Sequence, residues 1–175
     1  HNCRFASFTL LAKGDYPAEL DVQLPFSLVS NDVTNGALLL MPAYWLMYNA
    51  YALGRTSWKT TARDGRVRKR QHIVSKVLAP DTVEEMFTGR ALLERWTGLA
   101  ALRQRNESAH VPDEELCAVG RAVLASGEAD GFDIIADGVE NSRRPVRVLK
   151  AVRAYAAYRE AIHYFAMRTL AESMW

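Results

Sequence analysis

Tyr44, Tyr48, Tyr51, Arg55 and Trp58 recur at intervals of four, three, four and three residues. On a single helix that spacing brings all five side chains to one face. Three phenols followed by a guanidinium and an indole are the groups that stack a base or sugar ring and hold a phosphate at its end. Lys59 lies beside the stripe, and Arg63 and Arg66 follow it. Asn49 is the one non-aromatic polar residue in the run, with an amide suited to capping backbone or orienting a ligand. The candidate ligand-binding set is therefore Tyr44, Tyr48, Asn49, Tyr51, Arg55, Trp58, Lys59, Arg63 and Arg66. The same spacing suits buried tyrosines with bonded hydroxyls and an Arg55 that snorkels at the helix end.

Charge is concentrated just beyond that stripe. Residues 55 to 72 hold seven Lys or Arg and one Asp, whereas the whole chain carries a net charge of +2, so the remainder is net acidic. A solvated run is the common meaning of such a block. Nucleic acid would exploit it through counterion release, but no recognition motif accompanies residues 63 to 70, so nucleic acid is the disfavoured alternative. A second cluster, Arg143, Arg144 and Arg147, falls where the last helix is expected to start. Cations there oppose the helix dipole unless an anion, or Asp137 and Glu140, offsets them. It is a second possible anion site.

Other chemistry has no foothold. The sequence lacks phosphate-loop, dinucleotide, nucleophile-elbow and zinc-protease motifs. His1, His72, His110 and His163 are scattered, and Cys3 and Cys117 lack metal-site or disulfide-framework spacing. No catalytic residue, metal or cofactor is assigned, and two thiols fit a reducing, cytoplasmic compartment. The run 37–53 is short for a membrane span and contains Pro42 and Asn49, so a buried helix is expected there, with no membrane contact.

These side chains need elements to position them. Residues 1 to 35 alternate as strands punctuated by Gly14, Asp15, Pro17 and Pro25. From residue 36 the period becomes helical. Helices are expected over 37–53, from an Asp81 N-cap with Glu84 in a capping box, from Pro112 to Ser126, and from Ser142 or Pro145 to 172. "HIVSKVL" at 72–78 is ambiguous. The expected class is α+β, mostly α: a β-rich segment, 1–35, and a bundle of about four helices, 36–175. The apolar alternation begins within the first residues, as though residue 1 were a cut point.

The stretches "HNCRFASFTLLAKGDYPAELDVQLPFSLVSND" and "MPAYWLMYNAYALGRTSWKTTARDGR" carry a resemblance. Over roughly residues 1 to 70 the chain resembles the C-terminal part of a bacterial protein family of unknown function. Its upstream part is similar to left-handed parallel β-helices of the hexapeptide-repeat acyltransferases, which act on sugars and sugar nucleotides. The resemblance implies that residues 1–35 are the last rungs of a β-helix in the same chain and that the helices cover its end. It also implies a homo-oligomer, with any group-transfer chemistry residing upstream. The resulting expectation is a helical domain that binds a phosphorylated sugar or nucleotide. The alternative is a structural cap or oligomerisation domain.

Overall fold

The computed structural model describes residues 2–68, 70, 76–105 and 111–174. His1, Lys69, His72 and His110 lie outside the described residues, as does most of the ambiguous "HIVSKVL" segment.

The first thirty residues wind twice in the same direction. β1 (Arg4–Phe5) pairs in parallel with β3 (Asp21–Val22), and β2 (Leu10–Leu11) pairs in parallel with β4 (Leu28–Asp32). Paired residues are 17 apart in the first ladder and 18 apart in the second. Parallel partners cannot be joined by a tight hairpin, so the chain completes a coil and lays the next upon it. Each coil turns a corner at a phenylalanine. Phe8 and Phe26, 18 residues apart, have φ of 60° and 58°, in a region bulky residues rarely enter. Their rings stack with centroids 4.9 Å apart and planes within 7°. The corners are stitched by Phe26 N–H donating to Ser7 O at 2.8 Å and Leu10 N–H donating to Ser27 O at 2.8 Å.

Then the direction reverses. β5 (Ala37–Met41) returns antiparallel along β4, through a turn where Gly36 has a φ of 61°. β6 (Val146–Val148) pairs in parallel with β5. Over β3, Asp21 N–H donates to Val139 O and Asn141 N–H to Glu19 O, at 2.8 and 2.9 Å. One side of the second coil is thus closed by returning chain. The opposite edges of β1 and β2 have no strand partner among the described residues.

The helix expected over 37–53 is corrected in its first third. "ALLLM" has a strand on each side and both its faces covered, the setting in which a strand reads as a continuous apolar run. Pro42 ends it and Ala43, at φ 53°, turns the chain. α1 (Tyr44–Tyr48) follows, broken at Asn49 from α2 (Ala50–Arg63). The boundary drawn at 35/36 falls in the turn of the β4–β5 hairpin, and one core takes Leu24, Phe26 and Val29 from one side and Leu38, Met86 and Trp96 from the other.

α3 (Pro80–Gln104), α4 (Asp113–Ser126) and α5 (Ala151–Ser173) pack around that core. α3 starts one residue before the expected Asp81 cap. Ala79 N–H donates to Thr82 Oγ1 at 2.9 Å, so Thr82 satisfies the terminus that Glu84 was expected to serve. α4 ends as read, at Gly127, in the left-handed region with φ 84°. α3 and α4 cross at bare backbone. A Cβ on Gly98 would stand 2.1 Å from Leu116 O, and one on Gly120 would stand 1.8 Å from Glu94 O. The last helix begins later than expected, because Val146–Val148 is claimed by the sheet and Lys150, at φ 56°, precedes the first helical residue. The chain is α+β and mostly helical.

Candidate functional site

The break at Asn49 divides the aromatic stripe. Tyr44 and Tyr48 lie on α1, half-buried and exposed, with their rings 5.7 Å apart. Tyr48 belongs to the inter-helix packing: Arg153 of α5 stacks its guanidinium 5.1 Å from the ring centroid and donates to the hydroxyl at 3.1 Å. Asn49 is exposed, so it has no buried amide to satisfy. Its backbone marks the break, with the N–H donating to Trp45 O and the C=O accepting from Ala52 N–H.

On α2 the remaining residues stand clear. Leu53 is buried and anchors the helix, while Tyr51 and Trp58 are 80% and 68% exposed on the other side. Arg55 and Arg63 are exposed and Lys59 is half-buried. These three cations form no ion pair with a described residue, whereas Arg66 is held by the Asp64 carboxylate in a two-pronged contact of 2.6 and 2.8 Å. Tyr51, Arg55 and Trp58 therefore share a face as the spacing required, but it is a convex face.

The second arginine cluster is not at a helix start. Arg147 sits within β6 and lies 3.5 Å from Asp133. Arg144 grips Glu140 through both carboxylate oxygens and donates to Asn31 Oδ1 at 2.9 Å. Glu140 is sealed from solvent, and this guanidinium holds its carboxyl below the usual glutamate range, against burial. The pair ties the 139–146 segment to β4. Arg143 is exposed and belongs to neither contact. Of the internal partners named from the sequence, Asp137 and Glu140, Glu140 takes Arg144, whereas Arg147 meets Asp133; the assumed helix dipole is not there.

A buried polar network escaped the sequence reading. Glu94 of α3 lies beneath α4 and α5, where Tyr155 donates its hydroxyl proton to one carboxylate oxygen and Arg121 donates to the other at 3.0 Å. Arg90 donates to the Tyr155 hydroxyl at 2.7 Å and stacks 4.5 Å from its ring centroid. Burial, then the bond to Glu94, raises the Tyr155 phenol above its ordinary value. The signal was the recurrence of Arg90 and Glu94, four apart, on positions of the apolar period. With every strong partner internal, the network locks three helices together. The nearby Cys117 thiol is pushed up, first by burial and then by Glu94, which suppresses its reactivity.

The remaining distinctive surface is the open side of the first coil. Phe5, Phe8, Leu10 and Leu11 are all about two-fifths exposed along the unpaired edges of β1 and β2. Arg4, Ala6, Leu10 and Ala12 turn their N–H groups inward to Leu20, Val22, Ser27 and Val29. By strand alternation Phe5 and Leu11 present theirs outward. A groove of about 350 Å³, lined by Phe5, Val22, Gln23, Asp81, Glu84 and Glu85, runs between this coil and the start of α3. It is bridged at Ser7, whose N–H donates to Glu85 at 2.9 Å.

Among the described residues no cluster of His, Cys, Asp and Glu is arranged to hold a metal, and no helix is long and apolar enough to cross a membrane. No family model matches the chain, and no solved structure matches it. Over 170 residues it is 38% identical to an uncharacterized protein of Treponema pallidum (strain Nichols). That match takes in 97% of this chain but only 22% of the relative's length.

Proposed function

We propose that this chain is the closing end of a parallel β-coil stack, with its helices serving as the lid. The observation that carries the reading is the pair of equivalent coils. Partners 18 residues apart in the β2–β4 ladder, and Phe8 and Phe26 corners also 18 apart, match a repeat of three hexapeptides per turn, and the β1–β3 ladder, at 17, falls one residue short of it. Phe8 offers its outer ring face as Phe26 offers its own to Phe8. On the far side the parallel progression stops, because β5 and the 139–141 segment run the other way. Solenoid ends need such a terminator, since an open row of N–H and C=O groups invites edge-to-edge pairing. The lid is fastened where the second corner turns. Tyr158 of α5 is fully buried, donates to Pro25 O at 2.6 Å and accepts from Ala43 N–H at 3.2 Å. Trp45 N–H of α1 donates to Phe26 O at 3.1 Å.

This reading takes the structural alternative over binding of a phosphorylated sugar or nucleotide. A small ligand needs a concavity that removes most of its surface from water, and Tyr51, Arg55 and Trp58 project from a helix ridge. Any group-transfer chemistry then belongs to coils preceding this segment. Grafting tests the lid directly: residues 2–175 are fused, in register, after an uncapped left-handed coil stack that self-associates. A monodisperse fusion supports the reading, with Leu11→Lys restoring association. A fusion that associates as strongly as the uncapped stack contradicts it.

A further inference from the structure

We infer that α2 is a docking face for an anionic lipid surface, bound in its plane. The helix is held to the body by Leu53 on one side and leaves the opposite side to solvent. At 100° per residue, Tyr51, Trp58 and Ala62 form one ridge, and Arg55, Lys59 and Arg63 form a row along its flank. Tyr51 and Trp58 are separated by about 10 Å along the axis. The row has no acidic residue within the helix and no ion pair to a described residue. Exposed Arg68 and Arg70 follow it in the chain, while Arg66 pairs with Asp64.

Three physical points select a lipid surface over other anions. Indole and phenol rings favour the headgroup level, where one end is wet and the other apolar. A convex ridge meets a plane without needing walls, whereas a single nucleic-acid strand is tracked by a charged groove. Finally, residues outside 55–72 are net acidic. An anionic bilayer repels the rest of the molecule and admits it only with α2 facing inward. The groups involved do not touch the open coil edge or the Tyr158 fastening, so docking stands independently of the lid.

The test is co-sedimentation of the purified chain with phosphatidylcholine vesicles, with and without phosphatidylglycerol, alongside tryptophan emission. Binding is expected to the anionic vesicles only, with a blue-shifted emission that Trp58→Phe removes. Arg55→Glu with Lys59→Glu should weaken binding by about tenfold or more, as two reversed charges near the surface require, and added salt should weaken it likewise. Both variants alter exposed or half-exposed positions, and circular dichroism checks that the fold is kept. Equal binding to neutral and anionic vesicles overturns the inference, as does unchanged binding by the charge-reversed variant. Tighter binding of a single-stranded oligonucleotide through the same residues also overturns it and reassigns the face to nucleic acid.

Discussion

At the scale of single residues, the closest constraints are two absent side chains and two buried carboxylates. Gly120→Ala places a methyl group 1.8 Å from a carbonyl oxygen of α3. Backbone must move, so a loss of about 3 kcal/mol or more is expected, read as a lower midpoint in urea. Tyr155→Phe removes the hydroxyl that serves Glu94 and leaves that buried carboxylate one donor short. A loss of about 1–3 kcal/mol is expected by the same measurement. Glu140 gives a pH signature. Its folded pKa is depressed, first by the bond from Arg144, with burial opposing. Its stabilisation is therefore complete above the ordinary glutamate value and drains away as pH falls through the lower folded value. Arg144→Met should remove that acid-side slope and cost about 3 kcal/mol at neutral pH, checked by urea unfolding at two pH values. Some of this was legible in the residues: Glu140 was named as a partner for the arginines, and the spacing did place Tyr51, Arg55 and Trp58 together. The Glu94 network was hidden, because a helical period shows that a position is buried but not which distant hydroxyl or guanidinium meets it.

At the scale of elements, the aromatic corners repeat but their burial differs. Phe26 is wholly enclosed, whereas Phe8 is 40% exposed. Phe26→Ala is expected to cost about 3–5 kcal/mol, with Phe8→Ala costing less than half as much in this chain. Equal losses in thermal melts of the two variants would argue against the outer coil being an open end. The elements misread from sequence were those whose identity depends on partners. "ALLLM" reads as the start of a helix until β4 and β6 flank it. "VRV" reads as the opening of the last helix until the sheet takes it. Elements bounded by local chemistry were legible: the α4 stop at Ser126-Gly127, the punctuated strands before residue 32, and the approximate start of α3. Asn49 illustrates the limit. Nothing in its type distinguishes a polar residue within a helix from the residue where one helix ends and another begins.

At the scale of the molecule, two coils, a reversal and a layer of helices follow one another along the chain. The first coil repeats the second, and the returning strands stop the repetition. The α-helices meet the second coil through Tyr158 and Trp45, and the Glu94 network ties α3, α4 and α5 to one another. Leu53 anchors α2 to the core, and Arg55, Lys59 and Arg63 of that helix form no ion pair with a described residue. The unpaired edges of β1 and β2 are the side that a further coil would take in the proposed role, and α2 is a separate projection. The overall class followed from strands giving way to helices along the chain, although the change falls at Tyr44 rather than near residue 36, and the interlocking did not follow. Parallel pairing over 17 and 18 residues is a long-range register that no short window contains.

The most direct test of the lid is hydrogen exchange in the full-length Treponema relative, compared with its isolated segment aligned to this chain. The amides aligned with Phe5 and Leu11 point away from the second coil. If a preceding coil pairs with them, they should exchange slowly in the full-length protein and rapidly in the segment. Equally rapid exchange in both would show that no coil rests on that edge, contradicting the proposed role.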